Sequence, residues 1–138
     1  MSLRPVRGQA LLELALCAPI VILLALGTVA AVQVAGARAG LDAATQAAAD
    51  AAARSADPSS AVAAAQQRFA SVVADYPLRS ATFTVSVGRF TRADHVVASS
   101  SGFVDLGWAG FLLLPSHMKL QSQIVLRLEP WRTHRQAS

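Results

Sequence analysis

Few side chains in this sequence are suited to chemistry. His95, His117 and His134 are its histidines, Cys17 is its one cysteine, and eight carboxylates are spread between Glu13 and Glu129. A hydrolytic zinc centre of the H-E-x-x-H kind places two histidines one helical turn apart, so that both rings converge on one ion beside a glutamate base. No histidine here has that spacing. A nucleophile elbow, a phosphate-cradling glycine loop and a paired-carboxylate motif are also missing from the sequence. A lone cysteine closes no intrachain disulfide, and Cys17 lies in an apolar run where a thiol behaves as a small hydrophobe. The sequence reads as non-enzymatic, with no catalytic residue, cofactor or metal, and with each histidine on the surface or in a structural role.

Charge excludes a second class. Twelve Lys+Arg against eight Asp+Glu give a formal +4. The eleven arginines are scattered, with no basic cluster interleaved with aromatics and no nucleic-acid motif, so the surface is expected to be solvated and mildly basic, with no nucleic-acid partner. What remains is chemistry performed on the chain. Its candidate residues are Gly8, Gln9 and Glu13, which stand just before an uncharged stretch of 24 residues from Leu14 to Ala37. About 20 apolar residues cross a bilayer core, so this stretch predicts a single membrane span. Arg4 and Arg7 precede it, and a basic flank stays cytoplasmic, which places the N-terminus inside and the C-terminus outside.

Three readings of this N-terminal region stand side by side. A cleavable secretory signal would use Ala35-Gly36-Ala37 as its cleavage site, although signal peptides have apolar regions of roughly 7–15 residues. An unprocessed signal anchor is the second. The third rests on Arg7-Gly8-Gln9-Ala10-Leu11-Leu12-Glu13 followed by Leu14-Ala15-Leu16-Cys17-Ala18-Pro19. This segment resembles the class III signal of type IV prepilins, and most nearly the TadE-like pseudopilins of tight-adherence (Flp, type IVb) pili. The resemblance covers roughly residues 4–40.

That resemblance implies a cut between Gly8 and Gln9 by a prepilin peptidase, with Glu13 at the fifth position of the mature chain. It also implies that Glu13 pairs with the new amine of a neighbouring subunit. Such a pair sets register in a low-dielectric setting, because a misplaced subunit leaves a charge unpaired. A carboxylate in the first turns of a helix is also favoured by the helix dipole without any partner. Major pilins usually carry an aromatic after this glutamate; Leu14 stands there instead, which points to a minor subunit. The implied partners are the membrane, the prepilin peptidase, the major pilin, sibling pseudopilins and inner-membrane platform proteins. The implied place is the inner membrane, with entry into a surface pilus as an option. A membrane-tethered or secreted small domain that binds an envelope ligand is the alternative.

The elements that would carry these residues divide the chain into 1–8 as leader, 9–37 as transmembrane helix, 38–55 as its extracytoplasmic continuation, and 56–138 as a small α+β domain. From Gln9 to Arg54 the one helix breaker is Pro19. The outer half of this helix is rich in alanine, and Gly36 and Gly40 form a G-x-x-x-G pair that would let another helix approach closely. Asp57-Pro58 reads as an N-cap and first helical position. Val62, Ala65, Phe69, Val72 or Val73, and Tyr76 then form an apolar stripe, and Tyr76-Pro77 ends that helix. Residues 81–87 alternate as a half-buried strand. A turn at 92–94 leads into a short return strand at 95–97, Ser99-Ser100-Ser101-Gly102 reads as a flexible loop, and Leu120 to Leu128 alternate as another strand stopped by Pro130. The apolar stretch 103–115 is expected to cover the core, with Trp108 and Phe111 as candidates for contact with another subunit. The fold class is α+β and pilin-like, with the long helix lying across a small antiparallel sheet.

Overall fold

The computed structural model of the chain describes residues 5–88 and 95–127, with side chains from Gly8 onward. Arg4, the turn at 92–94, Leu128, Pro130 and His134 lie outside the described residues, as does the Arg7 side chain. Helix α1 (Pro5–Arg54) runs unbroken for 50 residues, about 75 Å at 1.5 Å per residue. Alanine and leucine, the best helix formers, dominate it. Pro19 lies inside α1 and removes one backbone donor. At the far end Ser55 closes the last turn, its N–H donating to the Ala52 carbonyl (3.2 Å) and its hydroxyl to the Ala51 carbonyl (3.0 Å).

Helix α2 (Pro58–Val73) follows after a three-residue corner. Asp57 caps it as its residue type predicts: its carboxylate accepts from the Ser60 N–H at 2.9 Å and from the Ser59 and Ser60 hydroxyls at 2.6 and 2.9 Å. The Ser59 hydroxyl, then the Ser60 N–H and hydroxyl, hold this carboxyl at about 2. The buried stripe of α2 is Ala61, Ala65 and Phe69, so Ala61 replaces Val62 at its head.

Three antiparallel strands complete the domain in the order β1-β2-β3. Strand β1 (Arg79–Val87) turns Ala81, Phe83, Val85 and Val87 inward, as the alternation predicts, and its register slips between Arg79 and Thr82, where Ser80 has φ 51°. Strand β2 (His95–Asp105) is the central one. It corrects two expectations. The return strand does not end at Val97, and Ser99-Ser100-Ser101-Gly102 is not a loop but the middle of an 11-residue strand. The alternation was present, but written in small residues: Val96, Ala98, Ser100, Gly102 and Val104 are all buried. Serine and glycine are weak strand formers, and tertiary packing overrides that weakness here. Strand β3 (His117–Arg127) turns Met118, Leu120, Ser122, Ile124 and Leu126 the same way and starts three residues earlier than its alternation suggested.

Helix α1 packs over β2 and β3, and α2 packs against α1 and β1. The buried face of α1 is Ala37, Leu41, Ala44, Thr45, Ala48 and Ala52, spaced by threes and fours. Each methyl contributes only about 0.8 kcal/mol, so the core gains its stability from close backbone approach over many small contacts. Two features key the layers together. The Phe69 and Phe83 rings stack with centroids 4.7 Å apart, joining α2 to β1. The buried Thr45 hydroxyl donates to the Leu41 carbonyl (2.7 Å) and lies 2.5 Å from the Ser100 hydroxyl, joining α1 to β2. Since Thr45 has one hydroxyl proton and spends it on a carbonyl, Ser100 must be the donor between them.

Candidate functional site

The first half of α1 is the part of the helix that the rest of the chain leaves uncovered. Leu11, Leu12, Leu14 and Leu16 are each about two-thirds exposed, and Ile20, Val21, Ile22 and Leu24 more than half. A core helix of this apolarity would be covered by the rest of its chain; this one is bare, and among the described residues one helix, Gly8–Arg54, is long and apolar enough to cross a membrane. Cover begins at Ala30, which is 4% exposed, and continues at Ala37 and Gly40. The folded domain therefore starts inside the interval 9–37, and the segment without intrachain cover runs from Gly8 to Val29.

The two polar residues of the apolar run are both satisfied. Thr28 donates to the Leu24 carbonyl of its own helix at 2.9 Å. Gln33 accepts from the Trp108 indole N–H at 3.2 Å. That second bond was not legible in the sequence, because 75 residues separate its partners.

Gly8 lies in the second turn of α1 and faces open space, with nothing within 4 Å of where a Cβ would stand. The helix starts at Pro5, so Gly8 is its fourth residue and lies close to an end that frays. The Gly8–Gln9 bond is thus in the part of the helix that opens at least cost. Glu13 is exposed, and among the described residues no partner is found for it. Gln9 is exposed too, one turn before it.

The two candidate packing glycines differ. A Cβ at Gly36 would meet nothing within 4 Å, whereas at Gly40 it would fall on the Tyr76 ring, far inside contact distance. The close approach at Gly40 is taken up by the chain's own α2 end. Trp108 and Phe111 sit in a 3-10 turn, Gly107–Leu112, between β2 and β3, and are 39% and 58% exposed. The stretch 103–115 is thus divided: Val104, Leu106 and Ala109 are in the core, while Trp108, Phe111, Leu113 and Leu114 are outside it.

The remaining surfaces offer little chemistry. The outer face of the sheet is a carpet of uncharged polar groups: Thr82 and Ser101 share a hydroxyl bond of 2.8 Å, Thr84, Ser99, Gln121 and Gln123 extend the rows, and no ionisable group stands among these six. His117 is exposed, and among the described residues no group of three or more His, Cys, Asp or Glu side chains is placed to hold a metal ion.

No curated protein and no solved structure matches the chain. A protein family does, across nearly the whole of α1 and nothing beyond it. Residues 8–54 match the family described as TadE-like protein, which is consistent with a TadE-like protein of the Tad pilus system.

Proposed function

We propose that this chain is a TadE-like pseudopilin, a non-enzymatic minor subunit or assembly factor of a tight-adherence pilus or related secretion machine. In this reading a prepilin peptidase cuts after Gly8, Gln9 becomes the mature N-terminus, and Glu13 is the register carboxylate at the entry of the membrane span. The observation that carries it is the bare helix. An apolar rod that its own domain leaves uncovered from Gly8 to Val29 needs another apolar environment, and the family match begins at the same glycine. The chain sits in the inner membrane with its domain outside, among the peptidase, the major pilin, sibling pseudopilins and the platform proteins. Gly36, open on its own surface, is the glycine left for packing against a neighbouring helix.

Glu13 gives the rod its polarity. A carboxylate near the edge of a hydrocarbon core is costly unless a cation meets it, and cleavage supplies one at Gln9 of the next subunit. Mass spectrometry of the mature N-terminus from envelope fractions tests the reading. A chain beginning at Gln9, intact or cyclised, is the expected result, and Gly8→Leu should leave the full-length chain and abolish pilus-dependent adherence. A start at Arg38 would mean ordinary secretion. A start at Met1 or Ser2 would mean a plain anchor, and either finding would overturn the proposal.

A further inference from the structure

The turn between β2 and β3 carries the most exposed large apolar residue in the described part of the domain. Leu113 is 96% exposed, beside Phe111 at 58%, Trp108 at 39% and Leu114 at 37%. Leu113 also has φ 59°, a left-handed conformation that leucine rarely adopts, fixed by its N–H donating to the Gly110 carbonyl at 3.2 Å. Strain of this kind persists where the surrounding structure imposes it, and it clusters at functional positions. Here it aims a leucine away from its own domain.

The position of the turn along α1 identifies what it meets. Ser100, mid-strand, faces Thr45, and Trp108 bonds Gln33, twelve residues nearer the N-terminal end of the rod. The turn is therefore the tip of the domain closest to the bare segment. Glu13 lies near the start of that segment and Gln33 just past its end, 20 residues apart, about 30 Å along a helix. That is the thickness of a bilayer's hydrocarbon core. With Glu13 at one boundary, Gln33 and the Trp108 indole fall at the other, the level where tryptophan is enriched in membrane proteins. Next to the turn, Phe103 lies in register with Arg79 on one side and Lys119 on the other, both exposed cations at the level where lipid phosphates would be. Asp105 and His117, paired in register at the same end, are also exposed, and the Asp105 carboxylate is partly engaged by the Gly107 N–H at 2.9 Å.

We infer that the Trp108–Leu114 turn is a membrane foot: Phe111, Leu113 and Leu114 enter the acyl boundary of the same bilayer that α1 crosses, Trp108 lies at the interface, and Arg79 and Lys119 face lipid phosphates. The inference rests on the membrane-span reading of α1. The foot fixes the domain against the bilayer and keeps the rod from tilting or sliding freely before assembly. Extraction of the subunit into a filament would require the foot to leave the lipid.

Depth-dependent quenching tests it in proteoliposomes of phosphatidylcholine brominated either near the headgroups or near the chain ends. Full-length Trp131→Phe leaves Trp108 as the one tryptophan. Its emission should be blue-shifted and lose most of its intensity with the shallow bromines and little with the deep ones. Adding Leu113→Asp, a change at an almost fully exposed site, should return the emission toward that of a water-exposed indole while leaving the melting temperature unchanged. A second reporter, Leu23→Trp in a Trp108→Phe/Trp131→Phe background, sits midway between Glu13 and Gln33 and should be quenched by the deep bromines. If that reporter is quenched but Trp108 is not, the foot is refuted and the span stands; if neither is quenched, the span reading itself falls. A photo-crosslinker at Phe111 should attach to lipid, and capture of a second copy of the chain or another subunit instead would make the turn a protein contact and overturn the inference.

Discussion

The hydroxyl pair in the core gives a test whose size follows from the geometry. Thr45 is fully buried and Ser100 is 6% exposed, so neither hydroxyl can turn to water if its partner is removed. Thr45→Val deletes both the donor to the Leu41 carbonyl and the acceptor for Ser100. The Leu41 carbonyl keeps its helical position, but the Ser100 hydroxyl is stranded, at a cost of about 1–3 kcal/mol. Ser100→Ala removes one bond and leaves Thr45 still bonded to Leu41, costing about 0.5–1.5 kcal/mol. In the double variant both partners are apolar and nothing is stranded, so it should be no less stable than Thr45→Val alone. The coupling is then at least the Ser100→Ala cost, about 0.5–1.5 kcal/mol, beyond the roughly 0.3–0.5 kcal/mol within which independent sites add. Urea denaturation of the full chain in detergent micelles, read by Trp108 fluorescence in the Trp131→Phe background, measures the midpoints at constant slope. If the two single costs simply add in the double variant, the two hydroxyls are not a pair and the account of how α1 is keyed to β2 is wrong.

Two further outcomes follow from other parts of the fold. Gly40→Ala should destabilise the domain by about 1–3 kcal/mol, because the new methyl meets the Tyr76 ring. Gly36→Ala should instead gain up to about 1 kcal/mol of helix propensity. Equal responses in thermal melts would contradict the packing described. The Asp57 carboxyl, depressed to about 2 from its usual 3.8, stabilises the α2 start while ionised. That contribution is complete above the unfolded-state value and is lost as pH falls from about 3.8 through about 2. Asp57→Asn should therefore flatten the stability profile in that window and nowhere else, as measured by melting temperature against pH.

Much of the architecture could be read from residue types because local patterns had one physical meaning. The uncharged run after Glu13 is too long and too evenly apolar for anything but a buried or membrane helix. The Asp57-Pro58 pair starts a helix through hydrogen bonds made within three residues. The alternation at 81–87 and 120–126 needs only a two-sided sheet. The central strand could not be read that way. Ser99 to Gly102 carry the residues of a loop, and they form a strand because β1 and β3 pair with them on both sides, while Ser100 meets Thr45 of α1 and Gly102 lies against Leu78 and Ala81. Those neighbours come from distant parts of the chain and from no local segment.

At the candidate site the division is the same. The order of Gly8, Gln9 and Glu13 ahead of an apolar rod is a linear pattern, which we propose is read by a processing enzyme, so the sequence alone carries it. What the rod does beyond Val29 is decided in three dimensions. Ala30 is buried, Gln33 stays exposed but bonds the turn that joins β2 to β3, and the polarity of Gln33 has its reason in Trp108, 75 residues away. Composition could place the membrane segment, but only tertiary packing sets where the domain closes upon it, since a helix ends its exposure where another surface meets it.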